Sequence, residues 1–357
     1  ERAAASGFSR SRGGHSLARA ASQIVFDARE EMASLLGIKN SSSLIFAHNA
    51  TDALNMALFG LLRPGDRVIT TSMEHNSVSR PLRVLEQRGI SLQVIQADKY
   101  GQTTVEDFRS AIEQGANAIV VGHGSNVTGA LAPLTEIGRL AAKAGAILIV
   151  DAAQTAGVEE IDVTEMGIGA LAFSGHKGLL GPQGTGGLYV REDLSVTPLR
   201  FGGTGSQSES DIQPVFYPDR LESGTSNTPG LAGLLAGVRF IRETGIAVIR
   251  NKERELTDHL LEGLSQIPGV MLYGPPAGEN RTAVVSFTVN GRDSGETAYQ
   301  LDREYGIACR AGLHCAPWAH RTIGTLHSGT VRFSPGYYTT KQEINEALTA
   351  VREVAAR

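Results

Sequence analysis

Between residues 43 and 190 short apolar runs alternate with stretches of helical periodicity, and this alternation constrains the fold more than any other feature. Strand-like runs fall at 43–46, 67–71, 91–97, 118–123, 147–151, 170–174 and 186–190. Helical patterns lie between them at 51–62, 78–88, 105–114 and 134–144. Strand–helix–strand repetition predicts parallel pairing through right-handed crossovers, with helices covering both faces of the sheet. The punctuation agrees. Arg63-Pro64-Gly65-Asp66 ends the first helix, Pro133 suits a first helical turn, and Gly145 suits a helix C-terminus.

Beyond residue 190 the texture changes. A loop-rich stretch covers 197–228, and long helical patterns follow at 230–244 and 249–266. Strand-like runs at 270–273, 283–289, 307–310 and 330–333 then mix with helices at 294–305 and 341–356. The expected architecture is therefore α/β: a large domain with a mostly parallel seven-stranded sheet, plus a smaller C-terminal α+β domain. The divisions are read as an N-terminal segment at 1–16, the large domain at 17–248 and the small domain at 249–357.

Bulk properties exclude several classes. A net charge of −4 gives no reason to expect nucleic acid or an anionic membrane as partner. No apolar stretch approaches the roughly 18 residues of a membrane span. Residues 1–12 are basic but lack the apolar centre of a secretory signal. Two cysteines, Cys309 and Cys315, are too few for a disulfide scaffold, and such usage suits a reducing cytoplasm. No metal site is read from the sequence.

The chemistry centres on Asp151 and Lys177. Asp151 closes the apolar run at 147–150, and Lys177 follows the run at 170–173 in Ser174-Gly175-His176-Lys177-Gly178. In open α/β sheets, residues leaving the carboxyl ends of strands line the ligand crevice. A lysine and a carboxylate meeting there suit pyridoxal 5'-phosphate: the lysine forms a Schiff base with the aldehyde, and the carboxylate holds the pyridine nitrogen protonated. Gln154 can donate to a ring oxygen, and Ser174 and His176 can donate to a phosphate. Asn49-Ala50-Thr51 precedes a helix, so it offers both an N-cap and a phosphate cradle. His75 follows the strand at 67–71, where an imidazole can stack on an aromatic ring and move protons.

Seven stretches in order carry a family resemblance: residues 49–55, 73–76, 123–129, 151–154, 174–177, 222–227 and 310–316. On these the chain resembles the class V aminotransferase-fold enzymes that use pyridoxal phosphate, in the cysteine desulfurase and selenocysteine lyase group, of the sulfur-mobilising SufS type. The resemblance implies fold type I. It implies that Lys177 carries the cofactor, that Asp151 binds the pyridine nitrogen, that Gln154 binds the ring hydroxyl, and that His75 stacks on the ring. Thr51, Ser174 and His176, with Asn49 and Ala50, would hold the phosphate. Thr225 would reach the phosphate site of a second subunit, which implies a homodimer. Asn126, Arg332 and Arg310 would face the substrate, the first two at its carboxylate. His15, in Arg12-Gly13-Gly14-His15-Ser16, matches a stretch near the substrate entrance. The family's usual opening strand, roughly Leu-Asp-Asn-Ala-Ala-Thr, has no counterpart ahead of residue 12.

Cys315 selects the reaction within that group. Desulfuration needs a thiolate to take the sulfur of L-cysteine, leaving a persulfide on the enzyme and releasing L-alanine. The cation of Arg310 and the imidazole of His314 are expected to favour that thiolate, while Cys309 reads as a small buried hydrophobe. A protein sulfur acceptor is the further partner implied. The neighbouring readings are selenocysteine lyase, which acts on L-selenocysteine, and an aminotransferase, epimerase or other C–S lyase.

Overall fold

The computed structural model describes residues 15–357. The stretch at residues 12–14 and most of the segment at 1–16 lie outside that range. The described chain opens with a helix that the periodicity argument passed over, α1 (Ser16–Leu35), capped by the His15 ring accepting the Ala18 amide at 3.3 Å. Its inner face is Ala18, Ala21, Val25, Ala28 and Met32, at three- and four-residue spacing. A face built largely of alanine gives a weak apolar signal, which is why the pattern is faint.

The main sheet uses β1 (Leu44–Ala47), β2 (Arg67–Thr71), β3 (Ser91–Ile95), β4 (Ala118–Gly122), β5 (Ile147–Asp151), β6 (Ala170–Ser174) and β7 (Gly186–Val190). The intervening helices are α2 (Ala50–Leu61), α3 (Asn76–Gln87), α4 (Val105–Glu113) and α5 (Leu134–Ala144). Strand order is β1-β7-β6-β5-β4-β2-β3. The pairs from β3 to β6 are parallel, whereas β7 runs antiparallel to both β6 and β1. Apolar side chains from both faces pack into two cores. That double burial explains the unbroken apolar runs of β4, β5 and β6.

Register then positions the site. Gly122 lies opposite Asp151, and Asp151 opposite Ala172, so the carboxyl ends of β4, β5 and β6 stand side by side. The turns that leave β2, β4, β5 and β6 consequently open on one edge of the sheet. Around the large sheet two boundaries differ from the sequence reading by two residues: β3 stops at Ile95, and α3 begins at Asn76, because the His75 side chain caps it by accepting the Ser77 amide at 3.0 Å.

A second sheet follows two long helices, α6 (Thr228–Thr244) and α7 (Ile246–Ser265). It comprises β8 (Val270–Tyr273), β9 (Val285–Val289), β10 (Arg310–Gly312) and β11 (Thr330–Phe333), all antiparallel, in the order β10-β11-β9-β8. Helices α8 (Ser294–Tyr305) and α10 (Lys341–Ala355) accompany it, and a short α9 (Pro317–Thr322) follows the β10 turn. The strand expected at 307–310 begins only at Arg310, since Gly306 ends α8 in the left-handed region and Cys309 packs against the small core. The division read at residue 249 falls inside α7, which gives Ile249 to the large core and Leu256, Leu260 and Leu264 to the small one. Among the described residues no helix is long and apolar enough to cross a membrane.

One short segment ties the two sheets together. The carbonyls of Asn126, Val127, Thr128 and Gly129 accept, in order, from Arg332 Nη1 at 2.9 Å, Ser286 Oγ at 2.6 Å, Arg281 Nη2 at 3.0 Å and the Thr282 amide at 2.9 Å. Every donor comes from the second sheet or the strand-like approach to it. Gly129 is required twice over: its φ is +76°, and a Cβ there would meet the Thr282 and Val284 carbonyl oxygens at 3.0 Å. Arg281 is 4% exposed and also donates to the Pro275 and Val284 carbonyls. Burial holds its guanidinium down to about 10. Replacing Arg281 with Met strands three carbonyls, so unfolding stability should fall by about 3 kcal/mol at roughly 1 kcal/mol for each lost bond. Denaturant titration reads this directly, and a midpoint equal to the parent's would contradict the role given to Arg281.

Candidate active site

The turns at the strand ends enclose a cavity of about 330 Å³. Asp151 lies on its wall, with Oδ1 accepting the Ala153 amide at 2.9 Å. Gln154, half-buried, lines the same wall. Ser174 Oγ accepts the Ala50 amide at 3.0 Å, which joins the end of β6 to the start of α2. Asn49 caps α2 by accepting the Asp52 amide at 3.0 Å. Thr51 Oγ1 and Ser77 Oγ are hydrogen-bonded at 2.7 Å, so the first turns of α2 and α3 meet at one corner of the cavity. Two converging helix starts with hydroxyls between them make a corner suited to an anion.

Lys177 enters from the turn after β6 and faces the open cleft, where solvent reaches it although protein surrounds it. Burial lowers its ammonium pKa; Arg332 and Arg310 lower it further, and Asp151 opposes them. The amine is thereby brought toward its nucleophilic form. Burial, then Lys177, Arg310 and Arg80, likewise lower His75 against the pull of Asp151. Partial burial and Lys177 lower His176, which stands exposed at the rim.

Arg310 and Arg332 are directly opposite each other across β10 and β11. Among the described residues neither forms an ion pair with a carboxylate. Two cations in register repel unless an anion lies between or beside them. Arg310 lines the cavity, and Arg332, which is not among the lining residues, is tied to the Asn126 carbonyl. The Asn126 side chain lines the cavity but commits one N–H to the His314 carbonyl at 2.7 Å. It therefore braces the β10–α9 turn, and only its remaining N–H is available to a substrate.

Cys315 lies on that turn, exposed, with Sγ 3.8 Å from Arg310 Nη2. Its carbonyl accepts the Asn76 amide at 2.8 Å. It opens on a groove formed with Phe59, Arg80, Pro81 and Val84, and the groove shares Thr51, His75 and Ser77 with the main cavity. The expectation for His314 is corrected. Its ring turns away from the thiol into the interior, bonding Thr330 Oγ1 at 3.0 Å. Burial first, then the cations of Arg332 and Arg310 with His320 beside them, hold it down to about 3. It is neutral at physiological pH and supplies no charge to the thiol.

The remaining positions sort differently. Cys309 is half-buried, and burial pushes its thiol up to about 11. His15 caps α1 and is not among the cavity-lining residues. Thr225 is exposed and lines a separate hollow with Phe46, Asp52, Arg200 and Glu222, which shares no lining residue with the cavity. That loop is anchored by the buried Arg29–Glu222 ion pair at 2.9 Å.

Glu74 was missed by sequence reasoning. It is 2% exposed, lines the cavity, and accepts from Thr71 Oγ1 at 2.7 Å and the Gly122 amide at 3.0 Å. Burial, with Asp151 nearby, pushes its carboxyl up to about 8 despite those bonds. The only signal was its place between Met73 and His75 after a buried strand.

The site thus places a lysine and a carboxylate on adjacent strand ends, with an anion corner to one side. The family comparison agrees: the Aminotransferase class-V model matches residues 4–347, and the chain belongs to that family. Among similar proteins, one named "Probable cysteine desulfurase" from Methanothermobacter thermautotrophicus is 36% identical over 96% of this chain and 87% of its own length. The cysteine desulfurase of Pectobacterium atrosepticum is 31% identical over 96% of this chain and 85% of its own. Among solved structures, the apo cysteine desulfurase of Thermococcus onnurineus NA1 superposes with a TM-score of 0.91 at 34% identity, covering 98% of this chain and 88% of that one. The cysteine desulfurase CsdA of Escherichia coli gives a TM-score of 0.86 at 28% identity, covering 97% and 86%.

Glu74 generates a pH prediction. An unfolded glutamate ionises near pH ~4.3, but the folded carboxyl ionises only at about 8. Between those values the unfolded chain releases its proton first, so Glu74 costs stability increasingly as pH rises through the window. Glu74→Gln removes that cost. Its thermal midpoint should gain on the parent's between about pH 5 and pH 8; parallel pH profiles would contradict the assignment.

Proposed function

We propose that this chain is a pyridoxal phosphate-dependent cysteine desulfurase that converts L-cysteine to L-alanine and leaves the sulfur on Cys315. The observation that carries the proposal is an exposed cysteine, 3.8 Å from Arg310, on a loop bordering the cavity that holds Lys177 and Asp151. An aminotransferase has no use for that thiol. The relatives named above as cysteine desulfurases support the same reading.

The residues fit the cofactor. Lys177 has a lowered ammonium pKa, Asp151 lines the same cavity, and the α2–α3 corner offers Ala50, Thr51, Ser77 and Ser174 to a phosphate. Asn49 caps the helix at that corner and His176 lines the cavity, while Gln154 would serve the ring hydroxyl and His75 would cover the ring. When bound, the cofactor supplies an electron sink conjugated to the substrate α-carbon. Asp151 would sustain that sink by keeping the pyridine nitrogen protonated. Arg332 and Arg310 hold the substrate carboxylate, relieving their mutual repulsion, and Asn126 adds its free N–H. Lys177 Nζ, facing the cleft with its ammonium pKa lowered, would take the proton from the substrate α-carbon and return one when alanine forms. Cys315 Sγ attacks the substrate sulfur: an S–S bond forms, the Cβ–S bond breaks, and the β-carbon is protonated to give alanine. One thiol and one cysteine yield one persulfide and one alanine, so no outside oxidant is required.

The working unit is a homodimer. Thr225 is not among the residues that line its own cavity, and its loop-rich stretch exposes Phe201 (70%), Ile212 (76%) and Val215 (75%), an apolar surface suited to burial against a second copy. In that arrangement Thr225 completes the neighbour's phosphate corner. A protein acceptor would collect the persulfide from the Phe59–Pro81–Val84 groove.

Two variants test the reading. Cys315→Ser should lower alanine formation from cysteine by roughly 10²-fold or more, as expected when a nucleophile is lost, with the visible absorbance of the bound cofactor retained. Lys177→Ala should lose the absorbance of the lysine-linked cofactor altogether. Parent-rate alanine from Cys315→Ser would refute the sulfur transfer, and surviving absorbance in Lys177→Ala would refute the cofactor site.

A further inference from the structure

The turn between β10 and α9 is unusual for a loop that ends in an exposed thiol. His314 and Cys315 both have left-handed backbones, with φ of +48° and +57°. Neither is glycine, so each is held there by its surroundings. The flanking side chains show what holds them. His314 is 3% exposed and Ala316 is fully buried, while Cys315 between them faces solvent. An in–out–in pattern in a left-handed turn pushes the middle residue outward as long as its neighbours stay seated.

We propose that His314 is the positioning residue for Cys315: its buried ring is the peg that seats the turn and sets the thiol beside Arg310. The peg has two attachments. The ring bonds Thr330 Oγ1 at 3.0 Å, and Thr330 is paired in register with Gly312 at the start of the same turn. The His314 carbonyl accepts from Asn126 at 2.7 Å, which ties the turn to the segment that joins the two sheets. Beneath it lies His320, fully buried, its ring centroid 5.6 Å from that of His314 and its Nδ1 bonded to Thr325 Oγ1 at 2.7 Å. His314 Nδ1 and His320 Nε2 have no partner among the described residues. A charged His314 would thus bury an N–H without an acceptor, close to Arg332 and Arg310, which agrees with a ring held neutral. The inference rests on Cys315 being the sulfur-accepting residue, but its geometric content is independent of turnover.

Alkylation of Cys315 in the holoenzyme, mapped by peptide mass, tests it. Iodoacetate carries a carboxylate that Arg310 attracts, and iodoacetamide does not. In the parent, the ratio of the two rates at Cys315 should exceed the ratio for free cysteine. His314→Asn tolerates the left-handed backbone but removes the ring, and Thr330→Val removes the hydroxyl partner. Both should lower the ratio to that of free cysteine, whereas Thr330→Ser should keep the parent value. Alanine formation should show kcat reduced roughly 10–100-fold by misplacement of the thiol, with KM for cysteine unchanged. Should His314→Asn lose its fold, Thr330→Val carries the test. A parent-like ratio in Thr330→Val, or a parent ratio no higher than free cysteine's, overturns the proposal. Because the ratio needs no turnover, it decides the role of His314 even if Cys315→Ser were to desulfurate at the parent rate.

Discussion

Everything at this site depends on the carbonyls of residues 126–129 being occupied from the second sheet. A loop at the carboxyl end of β4 would ordinarily turn its backbone oxygens toward water. Here each is taken by a donor from the other side of the molecule, including the buried cation of Arg281. The lysine and carboxylate belong to the large sheet, and the thiol and two arginines belong to the small one. Without this seam the two halves of the chemistry have no fixed separation. Hydrogen bonds between buried groups are costly to break without replacement, so the seam acts as a rigid joint.

Electrostatics give the joint its purpose. Arg310, Arg332 and Lys177 converge on the cavity with Asp151 as the carboxylate facing them, while burial raises Glu74. The result is an excess of positive charge before any ligand enters. A phosphate at the α2–α3 corner and an amino acid carboxylate at the arginine pair would balance it from two sides. Burial first, and then Arg310, which acts on both, depress Lys177 and His75, so a group that attracts substrate also helps prepare the amine and imidazole to act as bases.

Much of this was legible in the chain. The seven strands of the large sheet could be read because β4, β5 and β6 are buried on both faces and leave continuous apolar runs. Asp151, Lys177 and Asn49 could be read because strand ends and helix starts have local signatures. What escaped was set by distance in space. The antiparallel direction of β7 follows from its return across the sheet, which no local pattern records. Arg281 and Glu74 look like ordinary charged residues until burial removes their solvent. His314 was assigned to the thiol because it is next in sequence, but a left-handed backbone sends consecutive side chains to opposite environments. Adjacency in sequence placed the ring correctly on the loop and wrongly on its face.

The central claim is that sulfur leaves cysteine and comes to rest on Cys315. Mass analysis of the Cys315 peptide, taken after brief incubation of the holoenzyme with L-cysteine and without reductant, measures this most directly. The account predicts a peptide heavier by one sulfur atom at Cys315, with Cys309 unmodified and alanine appearing in equal amount. Alanine released while the Cys315 peptide keeps its original mass, or sulfur found on Cys309 instead, would contradict it.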